Sequence, residues 1–361
     1  MTHVLVIGGY GNFGKVISER LATTEGITVI VAGRSADKAE ALAAKLGCEW
    51  QCVDLNDGFA DTLADISPDI VIHTAGPFQG QDYEVARACI EQGCHYIDLA
   101  DDREFVANIG MLDEAAKDKG VLVVTGASSV PCLSAAVMDE YADQFDAVEE
   151  IDYGITTAQK SERGLATTRA VLSYVGKPFT TLIDGQMQDI YGWQGLHRED
   201  YPELGKRWLS NCNIPDIAVY PERYPSLKTI RFYAGLEIGI IHVGLWLLSW
   251  PVRWFGINGL QKISKPMLAA SNMFDVFGSE NSAFHMRLTG GEKTCLFTII
   301  AKNNHGPNIP CIPSIVLAQK IAQQNFAETG ATPCVGKISL KEYMGALDGL
   351  DIHHAFTIEN A

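Results

Sequence analysis

Gly9, Gly11 and Gly14 stand in the spacing G-x-G-x-x-G at the head of the chain, MTHVLVIGGYGNFG. Glycine is the residue type that binding a pyrophosphate there would demand. The first permits a tight turn, the second keeps no side chain between an anionic group and the backbone, and the third lets a helix lie close to a strand. The N–H groups that open the next helix then face the phosphate charge. The turn Gly8, Gly9, Tyr10, Gly11, Asn12, Phe13, Gly14 is therefore the candidate phosphate site. A glycine-rich hairpin would share its composition. The apolar run from His3 to Ile7 before it, and the helical face Phe13, Val16, Ile17, Leu21 after it, favour strand–turn–helix.

About 20 residues past such a turn, NAD-binding chains place an acid that takes the ribose hydroxyls. Here the second strand ends VIVAGRS, putting Gly33, Arg34 and Ser35 at that place. Arg34 can pair with a 2′-phosphate and stack on adenine, and Ser35 can donate a hydrogen bond, so the expected cofactor is NADP. Ser35 fits a helix N-cap equally well. Asp54 and Leu55 end the third strand, where Asp54 can accept from an adenine amino group or simply make a turn. Ala75, Gly76, Pro77 and Phe78 follow the fourth strand, and small residues there let the backbone pass close to a ligand.

Tyr96, Asp98 and Asp101 stand at the end of the fifth strand and are the candidate catalytic groups; Asp102 reads as a helix cap. Arg163 and Arg169 are the candidates for holding a substrate carboxylate, with solvated surface as their ordinary role. His73 and His95 read as satisfied strand histidines. No Cys or His spacing suits a metal, and no G-x-S-x-G elbow occurs.

The elements that must position these groups alternate regularly. Strands are predicted at 3–8, 27–33, 49–53, 70–74, 95–99 and 121–125, with helices at 12–24, 36–46, 58–65, 82–92 and 103–119. That rhythm specifies an α/β fold: an N-terminal Rossmann-type, doubly wound parallel sheet over residues 1–130. A second, α+β domain over 131–312 is expected to serve substrate binding and dimerisation. It carries a strand near 149–157, a helix near 165–175, a Pro- and Tyr-rich loop from Tyr220 to Pro225, a strand near 229–236 and a hairpin at 283–302. Residues 313–361, a helix and tail, are expected to pack back on the first domain.

The chain has 361 residues, 28 Lys+Arg against 44 Asp+Glu, and a net charge of −16, which speaks against a nucleic-acid partner. Nine cysteines without C-x-x-C pairs, and no basic leader before the first strand, predict a cytoplasmic protein. The apolar stretch 238–257 is interrupted by His242, Pro251 and Arg253, so a spanning helix is not expected. A core or dimer-interface helix is the first reading, and with it a homodimer; a membrane-surface helix is the alternative.

Together GGYGNFG, HTAGPFQGQDYEVARACIEQGCHYIDLADD and TGASSVPCLSAAVMDEY resemble the saccharopine dehydrogenase-like oxidoreductases, most strongly over residues 1 to 140. The resemblance implies a Rossmann domain that binds NADP(H). It implies cofactor contacts at Gly9 to Gly14, Arg34, Ser35 and Gly76 to Phe78, and a nicotinamide site bordered by Tyr96–Asp102 and Ser128–Pro131. It implies hydride transfer to or from a C=N, C=O or C=C bond of a small substrate. Many relatives carry an acid before the loop proline where this chain reads Ser128-Ser129-Val130-Pro131, and the basic residues of the second domain are scattered. The competing expectation is a nucleotide-binding scaffold without turnover, associated with membrane or lipid through 238–257.

Overall fold

The computed structural model describes residues 1–324 and 327–360. Residues Met1–Ala136 and Pro307–Leu347 form one compact unit; Val137–Gly306 and Asp348–Ala361 form another.

In the first unit β1 (Thr2–Ile7), α1 (Asn12–Leu21), β2 (Ile27–Gly33), α2 (Ala36–Leu46), β3 (Glu49–Cys52), α3 (Phe59–Ile66), β4 (Ile70–His73), α4 (Glu84–Gln92), β5 (His95–Asp98), α5 (Arg103–Ala107), α6 (Asp113–Asp118) and β6 (Leu122–Thr125) alternate. Short apolar runs such as VLVI, IVIH and LVVT are buried along their whole length. A strand apolar on both faces needs cover on both, which is why the sheet is parallel with helices between its strands. Every strand pair in it is parallel. Its order places β1 between β4 and β2, with β3 at one edge. The strand order reverses at β1 and β4, and ligands of such sheets sit at the carboxyl ends of those strands. The single helix predicted over 103–119 is divided. It breaks at Asn108 and passes through a 3-10 turn, Ile109–Leu112, before α6. Phe105, Ile109, Leu112 and Ala116, at helical spacing across that break, are buried all the same.

α7 (Ser134–Tyr141) carries the chain into the second unit. There follow β7 (Glu150–Thr157), α8 (Leu165–Tyr174), β8 (Pro178–Ile183), β9 (Gln186–Tyr191), β10 (His197–Tyr201), β11 (Gly205–Asn211), α9 (Asp216–Arg223), β12 (Thr229–Leu236), α10 (Gly239–Phe255), α11 (Ser264–Asn272), β13 (Ser282–Gly290) and β14 (Lys293–Ala301). A mixed sheet runs β10-β11-β12-β7-β13-β14 and ends on the last strand of the chain, Ile352–Asn360, and β8 with β9 makes a separate ribbon. The loop expected from Tyr220 to Pro225 is for its first half helical, because α9 extends through Pro221 to Arg223, anchored by buried Ile217 and Tyr220. The strands between 178 and 211 were invisible to periodicity because most of their residues are exposed or only half-buried.

The chain then supplies α12 (Ile312–Ala322), β15 (Gly330–Pro333) and α13 (Leu340–Gly345) to the first unit, and β16 (Ile352–Asn360) to the second. β15 extends the parallel sheet beside β6. The tail departs from the expectation that all of 313–361 packs on the first domain. β16 pairs antiparallel with β14 from Lys293↔Asn360 to Ala301↔Ile352, and a ladder of that length outcompetes any loose packing elsewhere.

Candidate functional site

The glycine turn is built by close packing between the ends of β1 and β4. Gly8 is left-handed at φ +76°, and a Cβ there would lie 2.7 Å from Thr74 Oγ1. A Cβ at Gly14 would lie 2.2 Å from Gly8 O and 2.8 Å from the same hydroxyl. Thr74 itself is fixed by two bonds to Ile7 O, from its N–H at 2.9 Å and its hydroxyl at 2.8 Å. Gly11 is the N-cap of α1 and offers no side chain to cap it. Gly11 N–H closes the turn on Gly8 O, and Ser18 Oγ donates to Gly9 O from inside the helix. The positive end of α1 therefore opens over a turn without bulk, which suits a diphosphate.

At the end of β2 the ring of Tyr10 lies across Gly33. Any Cβ at Gly33 would meet that ring at 2.6 Å. The Tyr10 hydroxyl accepts from the backbone N–H of Ser35 at 2.9 Å. Gly33 thus lies under that ring, and the exposed Arg34 is the charged group there. Ser35 occupies the N-cap of α2, yet its side chain makes no capping bond. Asp54 is exposed and accepts from Asn56 N–H and Nδ2 in an Asx turn, bonds that hold its carboxyl below the usual range.

After β4 the loop Ala75, Gly76, Pro77, Phe78 includes a cis Gly76–Pro77 bond. Gln81 pins it, its amide donating to Ala75 O at 3.2 Å and Pro77 O at 2.7 Å. Phe78 turns inward, edge-on to His73 at 5.0 Å and against Phe105 at 5.5 Å.

The candidate catalytic groups divide sharply. Asp98 is fully buried. One carboxylate oxygen accepts from Ala100 N–H (2.8 Å), Thr125 Oγ1 (2.8 Å) and Gly126 N–H (2.9 Å), so it ties the end of β5 to the end of β6. The other has no hydrogen-bond partner among the described residues. Burial lifts the acid to about 6 against the pull of those donors. Tyr96 is buried too, and burial with the nearby Asp98 charge pushes its phenol far up. Its hydroxyl shares a 3.1 Å bond with His73 Nδ1. Burial drives His73 down to about 4, leaving it neutral. Asp101 is exposed and accepts from Gln79 Nε2, while Asp102 caps α5 through Phe105 N–H at 2.9 Å.

In the second unit Arg163 already has partners. It donates to Gln159 O, Asn272 Oδ1 and Asp275 Oδ1. Arg169 is exposed on α8. A neighbouring network is centred on Glu237, which receives Arg207, Ser279 Oγ and the N–H groups of Gln159 and Ser279.

Sequence reasoning read His73 as a core residue and missed what it joins. The register His73↔Asp98 between β4 and β5 was the available signal, since both end adjacent parallel strands at one level. The lid that Tyr10 forms over Gly33 left no trace in spacing. A cavity of about 360 Å³ lies elsewhere, beside β6 and β15, and its Lys117 and Lys337 are paired with Asp113 and Glu328. Among the described residues no cluster could hold a metal ion, and all nine cysteines are free thiols.

Residues 4–147 match the saccharopine dehydrogenase NADP-binding domain family. Carboxyaminopropylagmatine dehydrogenase of Synechocystis sp. is 26% identical over 251 residues, 64% of this chain and 62% of that protein. A human saccharopine dehydrogenase-like oxidoreductase is 25% identical over 150 residues, 36% of this chain and 35% of the relative. The chain thus aligns with about three fifths of the first relative's length and about a third of the second's. Apo saccharopine dehydrogenase (L-Glu forming) from Saccharomyces cerevisiae superposes with a TM-score of 0.70 at 12% identity, covering 99% of this chain and 100% of that one.

Proposed function

Because the chain belongs, through residues 4–147, to the saccharopine dehydrogenase NADP-binding family, we propose that it is an NADP(H)-dependent oxidoreductase of a small substrate. The observation that carries the cofactor preference is the end of β2. Gly33, under the Tyr10 ring, stands where a ribose-binding acid would, while the exposed Arg34 follows it beside Ser35. In this reading the cofactor supplies or accepts the hydride, and the chain binds, orients and excludes water. The turn Gly8–Gly14 receives the diphosphate. Arg34 and Ser35 receive the 2′-phosphate. The loop Ala75–Phe78, held by Gln81, borders the ligand at the carboxyl end of β4. Asp98 is a positioning residue: its three donors fix the ends of β5 and β6.

The hydride passes to or from a bond of the C=N, C=O or C=C type. The relative that covers most of the chain is named for an amine-bearing compound, which puts C=N first among the three.

Fluorescence titration tests the cofactor. NADPH should bind about tenfold or more tightly than NADH, and Arg34→Ala should remove most of that difference. Equal affinities in the unaltered protein would overturn the assignment of Arg34. Oxidation of bound NADPH against a panel of imines, ketones and enoyl thioesters then separates turnover from binding alone.

A further inference from the structure

α10 was read from the sequence as a helix to be covered, and only part of it is. His242, Leu245, Ser249 and Val252 are buried, whereas Ile240, Leu247 and Trp254, seven residues apart, are 70%, 57% and 67% exposed. The same exposure continues past its end. Phe255 is 77%, Met273 77%, Val276 78% and Phe277 76% exposed. Nine of the fourteen large apolar side chains that stand exposed among the described residues fall between 240 and 277. Patches of that kind mark interaction sites.

The elements that carry most of these side chains pack around one small core. The helices α8 and α10 and the turn Leu260–Ile263 pack with α11 around a small core of Leu172, Val175, Trp193 and Leu245, with Leu248, Leu260 and Met267 against it. The exposed set stands outside that core, at the end of α10 and in the turn Asp275–Phe277. Trp246, Trp250 and Trp254 run in file along α10, with ring centroids 6.3 and 5.4 Å apart. Tryptophan is the side chain that settles at the polar boundary of a bilayer.

Charge selects between occupants. Residues 238–278 hold Arg253, Lys262 and Lys265 against a single acid, Asp275, in a chain with 28 basic and 44 acidic residues. Lys262 and Lys265 are exposed beside Ile263. A second copy meeting this face through a two-fold axis would set cation against cation. An anionic lipid surface offers apolar depth for the exposed apolar side chains and negative headgroups for the lysines. No helix among the described residues is long and apolar enough to cross a membrane, so the segment would lie on one.

We propose that the layer formed by α10, the turn after it and α11 docks the protein on an anionic phospholipid bilayer, with Trp254, Phe255, Val276 and Phe277 entering the headgroup boundary. This goes beyond the oxidoreductase reading and does not depend on it.

The test is co-sedimentation of the full chain with vesicles of phosphatidylcholine, alone or with about one quarter phosphatidylserine. Analytical ultracentrifugation runs in parallel. The expected result is binding to the mixed vesicles at least about fivefold above the neutral ones, with a blue shift of tryptophan emission. The triple variant Trp254→Ser, Phe255→Ser, Phe277→Ser should bind about tenfold less and keep its far-ultraviolet circular dichroism. Lys262→Glu with Lys265→Glu should abolish the preference for phosphatidylserine. Absence of the unaltered protein from both vesicle pellets overturns the proposal. So does a wild-type dimer that the triple variant turns to monomer without any vesicle binding, which would make the face a contact between copies.

Discussion

The two units differ in what they leave outside their cores. In the parallel sheet the run VLVI of β1 and all of β4 and β6 are buried, and the polar groups admitted there, His73, Tyr96, Asp98 and Thr125, are bonded to one another or to strand ends. The second unit has an apolar core of its own, with Ile151, Phe232 and Phe297 in it, and also buries an ion pair. Arg207 and Glu237 pair at 3.1 Å with side chains only 11% and 9% exposed, while large apolar side chains of α10 and its sequel face outward. The candidate site of the first unit stands at strand ends over a buried apolar core, the support that a precisely held site requires. The second unit leaves large apolar side chains in water.

Breaking each unit at its own buried device should expose the contrast. Glu237→Ala removes four bonds at once and leaves Arg207 buried without its counter-charge. The expected cost is about 3–5 kcal/mol, read as lost amide protection in the second unit with the first unit's spared. Burial alone would raise Glu237, but Ser279, Gln159 and Arg207 outweigh it and hold its pKa below the usual value. The first unit is attacked at Gly14. A methyl group there overlaps Gly8 O, so Gly14→Ala should cost about 1–3 kcal/mol by overpacking and weaken NADPH binding by about a hundredfold.

A smaller effect lies in pH. Folded Asp98 titrates near 6, above its unfolded value, so its contribution to stability is present at low pH and lost as pH rises through 6. Folded His73 titrates near 4, below its unfolded value, so its contribution is present above about 6.5 and lost as pH falls through 4. Over the shared window the two oppose each other, and the pair's net effect should stay within about 1 kcal/mol. Urea midpoints from pH 4 to 7 should separate them. His73→Leu should grow more stable on acidification and Asp98→Asn less stable; parallel slopes would show that the pair is not opposed. The smallest change sharpens the comparison from the other side. Gly244 in α10 has nothing within 4 Å of a Cβ, so Gly244→Ala should raise the melting temperature modestly, by about 0.5–1 kcal/mol of helix propensity.

Legibility followed the same divide. The apolar runs and the glycine spacing placed the parallel sheet and its glycine turn, because strand burial on two faces and close packing between strand ends leave direct marks on residue type. The division of the 103–119 helix at Asn108 left no mark, since its buried stripe keeps helical spacing through the 3-10 turn. Tyr10 was within the candidate site, but its closure of Gly33 depends on a side-chain direction that no spacing encodes. β8 to β11 escaped because strands with exposed side chains show no apolar alternation.

The strand β15 has a consequence in time. It pairs with β6 from Gly330↔Leu122 to Pro333↔Thr125, so the first unit draws its last strand from some two hundred residues downstream. At about 5–20 residues per second, a ribosome holds the rest of that sheet with the β6 edge open for on the order of ten to forty seconds. Meanwhile the entire second unit except β16 is made. An unpaired edge is an invitation to a wrong strand. The protein's birth is therefore its most exposed period, and fragments ended before residue 330 should be the ones that seek chaperones.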